Sequence, residues 1–534
     1  MLRRALDIQL LWDRLIAVCE EQALTMVRAA FSPPVREGGD LSAGLFDLRG
    51  RMLAQAVTGT PGHVNTMASA VPHFLERFPI SSMREGDSFI TNDPWLASGH
   101  LHDVTVLVPA FHRGHIAGLF AATVHIVDVG GRGMGTDARD LFEEGVRLPH
   151  LHLSRQGELN ADLIAIICAN SREPDQIEGD LLAILVAGEE GARRLSDALE
   201  EFSIADLDEA SDHICNASET ATRAAIAALP PGVYRNHLRT DGYEAPVDIH
   251  VVMTVGNGGI ALDFAGTSAR SGYGVNVVLA YTTAYSCYGL KCTVAPHVPN
   301  NWGSLRPFTV TAPEGCILNP ARPAPVSARH IIGHALPDAV FGCIAQAMPG
   351  AAPAESGMMW NPYIRGRVAL EGHSRDWEIF CFMSGGMGAR ADADGLDATA
   401  FPAGIKNIPV ESIEAACPLV FWRKELRPGS GGAGRHRGGH GQIVEIGGLD
   451  DRALRVQAMF DRVENPARGR DGGGDGQAGF CRLASGIPFR AKGLQDVPTG
   501  DRLVLELPGG GGYGDPADRS HADRARDAAE DFEP

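Results

Sequence analysis

Long apolar runs are missing from this chain. None reaches the roughly 20 residues that a membrane-spanning helix needs, so no membrane partner is expected. Positive charge is scarce. The 47 Lys and Arg face 66 Asp and Glu, giving a formal net charge of -19. That balance argues against a nucleic acid or an anionic membrane surface as partner. CxxC pairs are absent: the ten cysteines, from Cys19 to Cys481, are dispersed and stand mostly in apolar contexts. They read as reduced core residues, with the cytoplasm as the expected compartment. A signal peptide is not expected either, because Asp13, Arg14, Glu20 and Glu21 interrupt the first apolar stretch and make it an amphipathic helix. No GxxxxGK[ST] loop and no strand–GxGxxG–helix unit occurs, which speaks against nucleotide binding by this chain alone. The GxSxG elbow of serine hydrolases is lacking too.

Glycine, by contrast, is abundant, at 64 of 534 residues, against a typical share of about 7%. It is clustered at Gly385–Gly388, Gly429–Gly441, Gly469–Gly474 and Gly509–Gly512. Clustering of that kind predicts tight turns and close backbone approach. The last cluster leaves two readings open, a structural turn or a set of backbone N–H groups aimed at a ligand.

Helix-period apolar positions (Ile8, Leu11, Leu15, Ile16, Cys19, Leu24, Val27) predict a helix over about 6–30, stopped by Pro33-Pro34. Loops at Val35–Asp40 and Gly59–Asn65 flank a two-strand turn around Asp47–Gly50, and a helix follows at about 67–78. Further helices are expected at about 161–169, 180–202 and 208–228, ended by Pro230-Pro231-Gly232. The pattern then turns to strands, with a hairpin over Gly256–Gly259 and helix again near 330–345. This order predicts a multidomain α+β protein: a mixed helix/strand region at 1–230, a β-rich middle domain at 231–400, a glycine-rich β region at 401–516 and a charged tail at 517–534.

Chemistry concentrates in one stretch. Phe89–Asp103 and Thr123–Gly131 bring His100, His102, Asp103, His125 and Asp128 into 29 residues, separated by apolar runs at Val104–Val108 and Ile116–Val124. Those runs read as buried strands. Side chains at strand ends can converge, and imidazoles with carboxylates suit a divalent metal. The competing reading is a set of solvated loop residues that never meet.

A series of blocks then carries a resemblance. They include Glu37-Gly-Gly-Asp40, Leu45-Phe-Asp47, Gly62-His-Val-Asn-Thr-Met67, Thr91-Asn-Asp-Pro-Trp95, Gly99-His-Leu-His-Asp103, His125-Ile-Val-Asp-Val-Gly-Gly131 and Glu143-Glu-Gly-Val-Arg-Leu-Pro149. Asn170–Pro174, Asp263–Ser268, Lys291-Cys292, Pro323–Arg329 and Gly509–Pro516 continue it. Over about residues 5–516 the chain resembles the hydantoinase B/oxoprolinase family.

The resemblance implies a metal-containing B-type subunit working with a hydantoinase A-type subunit that binds the ATP. It implies a divalent metal (Zn, Mn or Fe) held by His100, Asp103 and His125. Asp40 is the expected fourth ligand, with Glu37 as second choice, and Asp128 would orient His125. His102 stands where many relatives have proline, and Ile126 where many have a second histidine. The expected reaction is ATP-dependent opening of a cyclic amide, a hydantoin, 5-oxoproline or lactam. The A-type subunit would phosphorylate the ring oxygen, and a metal-activated water would complete the opening in the B-type subunit. Asp128 or His63 would manage protons and Arg329 would hold a substrate carboxylate or phosphate. Two rival readings are a ketone carboxylase subunit and a non-catalytic scaffold.

Overall fold

The two apolar runs of the sequence form a long antiparallel hairpin, Asp103–His112 and His115–His125, turned at Arg113-Gly114. The computed structural model describes residues 2–57, 59–370 and 373–530. In chain order the hairpin belongs to a sheet of β1 (Leu41–Phe46), β2 (Met52–Gln55), β3 (Ser88–Thr91), β4 (Asp103–His112), β5 (His115–His125), β6 (Leu151–Arg155) and β7 (Glu158–Leu159). Spatial order is β2-β1-β5-β4-β3-β6-β7, antiparallel throughout. Nearly every residue of β4 and most of β5 are buried, which is why both read as continuous apolar runs instead of alternating ones.

Helices cover both faces. They are α1 (Leu2–Ala29), α2 (Pro33–Arg36), α3 (Pro61–Arg77), α4 (Ala161–Ala169), α5 (Pro174–Glu201) and α6 (Asp208–Ala227). On one face α5 lies close against the hairpin: a methyl group on Gly188 would meet Val108 at 2.5 Å, and one on Gly191 would meet Phe120 at 2.8 Å. On the other face α3 buries Met67, Val71 and Phe74 against Phe46, Leu107 and Leu119. Each such fully buried side chain contributes about 1.5–3 kcal/mol by leaving water.

Three helices begin where the sequence suggested loops or a later start. Proline stands at the first turn of α2, α3 and α5. There its missing N–H is one of those that lack an intrahelical partner anyway, and its fixed φ suits the helix. Pro33 thus stops α1 and opens α2, Pro61 lifts His63 onto α3, and Pro174 starts α5 six residues before Asp180.

The middle segment carries β8 (Gly232–Thr240), β9 (Val247–Gly256), β10 (Gly259–Asp263) and β11 (Phe308–Thr311), with β11 parallel to β10. It also carries helices, α7 (Leu279–Val294) and the pair His330–Gly333 and Leu336–Ala347. A further sheet joins strands from either side of residue 400, Tyr363–Leu370 pairing with Leu454–Met459. A last four-stranded sheet has the order Leu419–Leu426, Gln442–Gly448, Arg502–Glu506, Phe480–Leu483. In the charged tail, His521–Ala529 is helical with Asp527 buried, and residues 531–534 lie outside the described residues.

The glycine clusters pack on one another, backbone to backbone. Gly510 N–H donates to Gly439 C=O, Gly439 to Met387, Gly432 to Gly510 and Gly512 to Gly474, at 2.8–3.0 Å. A methyl group on Gly438 would stand 1.9 Å from the Gly510 oxygen, and one on Gly439 2.0 Å from that of Leu396. Only hydrogen fits at such separations. All four N–H groups of Gly509–Gly512 donate to protein carbonyls, so the cluster is the structural alternative of the two and not an anion cradle.

Candidate metal centre

The hairpin register builds the centre. It places Asp103 directly opposite His125, a spacing that brings facing side chains within about 5 Å at Cβ. On the other side of β5, Leu41 pairs with Val124, and the His125 N–H donates to the Asp40 carbonyl at 3.2 Å. Three neighbouring strands therefore deliver Asp40, Asp103 and His125 to the same end of the sheet.

Asp103 is fully buried and lies at the middle of the cluster. Its Oδ1 is 2.7 Å from His100 Nε2 and 3.0 Å from His125 Nδ1; its Oδ2 is 3.0 Å from His63 Nε2 and also receives the Arg329 Nη2. Burial opposes the charge of Asp103, but His100, His63 and Arg329 more than offset it and hold its pKa well below the usual carboxylate range. His63 spans two carboxylates, with Nδ1 3.5 Å from Asp40 Oδ1. Burial opposes its charge too, yet Asp103 and Asp40 together raise its pKa. Thr60 Oγ1 donates to Asp40 Oδ1 at 3.0 Å.

His100 tests whether a cation fits. Its Nδ1 donates to the Ser327 carbonyl at 2.9 Å, so Nε2 of the neutral ring presents a lone pair to Asp103 Oδ1. Burial, and then the Arg329 charge, lower its pKa to about 4, so the ring is neutral at pH 7. Two acceptors at 2.7 Å repel each other unless a cation lies between them. His100, Asp103 and His125 each offer an atom within 4.8 Å of the others. The Ser327 bond is the kind of outer contact that fixes a ligating imidazole. The residues present fit a divalent metal.

The turn that carries Ser327 is set by Glu144, whose buried carboxylate accepts the Val326 and Ser327 N–H groups at 2.6 and 2.8 Å. Burial pushes Glu144 up to about 8. The same turn presents Arg329, whose Nε donates to the Ser98 carbonyl at 2.6 Å and whose guanidinium stacks 3.9 Å from the Tyr281 ring. Arg329 is thereby committed to Asp103, although the sequence suggested a substrate carboxylate or phosphate as its partner.

Asp40, His63, His100, His125 and Arg329 line one cavity of about 30 Å³, with Asp103 behind it. That is room for an ion or a water or two. Asp128, expected to orient His125 or manage protons, is not brought there. Its carboxylate accepts from Arg172 Nη1 at 2.8 Å, from Arg172 N–H at 2.6 Å and from Gly130 N–H at 2.9 Å. Asp103 takes the place beside His125. Glu37 pairs with Arg36 at the surface side of its loop. His102 is buried, with neither ring nitrogen hydrogen-bonded.

The sequence reading missed two histidines. His330 and His334, one helical turn apart, also line the cavity, together with Tyr281, Asn361 and Phe380. Burial, then His334 and Arg329, depress His330 well below its ordinary value, and burial with Arg329 brings His334 to about 3. Phe380 stacks on His125 at 5.2 Å. The i, i+4 spacing of the two histidines was the signal available, but nothing local tied them to a site some 200 residues away.

Comparison with known proteins gives the family. A profile of the hydantoinase B/oxoprolinase family matches residues 5–516. A provisionally assigned B-type subunit of a D-/L-hydantoinase from Pseudomonas sp. (strain NS671) is 30% identical over 549 residues, covering 96% of this chain and 90% of its own. An uncharacterised protein of Methanocaldococcus jannaschii is also 30% identical, covering 94% and 89%. Among solved structures, the ATP-dependent caprolactamase from Pseudomonas jessenii shares the fold with a TM-score of 0.89 at 23% identity, covering 99% of this chain and 94% of that one. Nucleotide-free acetone carboxylase gives 0.88 at 20% identity, covering 99% and 78%. The chain belongs to the hydantoinase B/oxoprolinase family.

Proposed function

We propose that this chain is the metal-containing B-type subunit of an ATP-dependent cyclic amide hydrolase, opening a hydantoin, 5-oxoproline or lactam ring that an A-type, ATP-binding partner has phosphorylated. The observation that carries this reading is the buried Asp103 carboxylate ringed by His63, His100 and His125. It stands beside near-full-length similarity to the B-type subunit of a hydantoinase and the caprolactamase fold. His100, Asp103 and His125 would hold the divalent metal, with Asp40 as a fourth ligand. When bound, that metal supplies Lewis acidity for activating water or a carbonyl.

The remaining work falls to the chain's own groups. His63, between Asp40 Oδ1 and Asp103 Oδ2, accepts a proton at one ring nitrogen and passes one from the other. Against the opposing effect of burial, Asp103 and Asp40 raise its pKa, which favours its holding a proton. Arg329 positions Asp103 and keeps it ionised. Tyr281, Phe380, Met134 and Ile405 wall the cavity with apolar surface, which excludes bulk water from an activated intermediate. Asp128, on Arg172 and the Gly130 amide, braces the loop after His125.

The shared fold with acetone carboxylase favours a second reading, a ketone carboxylase subunit. The test is an assay of this chain co-purified with its A-type partner. Phosphate release is measured with hydantoins, 5-oxoproline, lactams, and ketone plus bicarbonate. Phosphate and ring-opened product in equal amounts from a cyclic amide support the proposal. Turnover with ketone and bicarbonate alone overturns it.

A further inference from the structure

A second and much larger cavity, about 680 Å³, abuts the metal centre. Its wall interleaves with that of the centre. Gly38, Gly39, Gly59, Pro61, Gly404 and Lys406 face the large cavity, while Asp40, Thr60, Ala403 and Ile405 of the same three segments face the small one. The segments meet each other: Lys406 N–H donates to the Gly38 carbonyl at 2.8 Å, and a methyl group on Gly404 would lie 3.6 Å from the Gly59 oxygen.

The large cavity differs in charge from the rest of the molecule. In a chain of net charge -19, its lining has Lys291 and Lys406 and, among the described residues, no Asp or Glu. Lys291 is buried and donates to the Ala295 and Val298 carbonyls at 3.1 and 2.7 Å, which leaves the third N–H of its ammonium group for a ligand. Gln55, Asn65 and Asn300 add amides on the same wall. Asn300 Nδ2 donates to both neighbours, at 2.6 and 2.9 Å, while its buried Oδ1 has no hydrogen bond. Two ammonium groups without a competing carboxylate suit a small anion bearing phosphoryl or carboxylate oxygens.

We propose that this cavity is an anion-binding port, in which Lys406 and Lys291 hold the phosphoryl or carboxylate group of a small substrate beside the Gly38–Asp40, Gly59–Pro61 and Ala403–Lys406 wall of the metal centre. The link to a phosphorylated ring rests on the function proposed above; the anion site itself does not. A substrate held there has its reacting end against the wall that the port shares with the metal centre.

The exposed Cys292 lines the port and reports its occupancy. In a Cys168→Ser background of the full chain, the alkylation rate of Cys292 is followed while inorganic phosphate is titrated. Phosphate is expected to protect Cys292 saturably. Lys406→Gln should weaken that protection about tenfold and Lys406→Glu further, as expected for loss of one charge-assisted hydrogen bond. Circular dichroism of each variant confirms the fold. No protection, or equal protection in wild type and Lys406→Glu, overturns the port. The two proposals fail separately. Protection that depends on Lys406 without ring opening leaves the port and removes the hydrolase. Ring opening that is indifferent to Lys406→Glu does the reverse.

Discussion

Replacing Arg329 with Met removes one charge and keeps most of the packing, because the aliphatic stem lies against Gly99, where a methyl group would meet Arg329 Cδ at 2.7 Å. What is lost is the permanent cation on a fully buried carboxylate. Breaking one side of such a pair costs about 3–5 kcal/mol, since the stranded charge stays buried. Asp103→Asn strands the Arg329 guanidinium instead and costs about as much. The double variant strands neither charge, so it should cost less than either single variant and fall well short of the sum of the two. The coupling between the two positions is then about 3 kcal/mol or more. Denaturant unfolding of metal-free protein at pH 8, followed by tryptophan fluorescence, measures all three. The Arg329→Met penalty should also shrink at pH 6. His63, whose pKa Asp103 and Asp40 already raise and Arg329 opposes, then carries a proton and replaces the missing charge. Its contribution is present below the unfolded-state pKa and lost as pH rises through the folded one. Single-variant losses that add in the double variant would refute the assignment of Arg329 as the counter-charge of Asp103.

Other consequences follow from the same geometry. Gly510→Ala would put a methyl group 2.1 Å from the Met387 carbonyl oxygen; because that neighbour is backbone, a loss of about 3 kcal/mol or more is expected in thermal unfolding. Glu144 is raised from 4.5 to about 8 in the fold, so its contribution to stability falls between those pH values, at up to about 1.4 kcal/mol per pH unit. Glu378 and Asp338, both raised to about 7, add to that slope. Glu144→Gln should therefore flatten, without abolishing, the decline of melting temperature from pH 5 to 8; an unchanged slope would contradict the burial argument. His102→Leu should leave metal content unchanged, since His102 is not among the residues whose ligand atoms converge, His100, Asp103 and His125, and elemental analysis of the purified variant checks this.

Much of this centre was legible in the sequence. The apolar runs at Val104–Val108 and Ile116–Val124 imply two adjacent buried strands, and a tight turn between them forces Asp103 and His125 into register. The resemblance added Asp40, whose place beside His125 depends on β1 lying next to β5, a pairing that no local pattern shows. Asp128 misled because proximity in sequence to His125 suggested contact. The chain turns at Gly130, and Arg172, 44 residues later, captures the carboxylate. His330 and His334 went unread because their approach depends on a turn fastened by Glu144. The helix starts at Pro33, Pro61 and Pro174 were misplaced for one reason: proline ends a helix from within but opens one at its first turn. The glycine clusters were legible as close-packed backbone, but which cluster faces which is set only by the folded C-terminal sheets.

The central claim is that this subunit itself carries a metal on His100, Asp103 and His125. Elemental analysis of the purified chain, as wild type and as His100→Ala, tests it most directly, with circular dichroism to show that both are folded. The account predicts close to one divalent metal per wild-type chain and a marked loss in the variant. Metal absent from the wild type, or retained in full by folded His100→Ala, would contradict it.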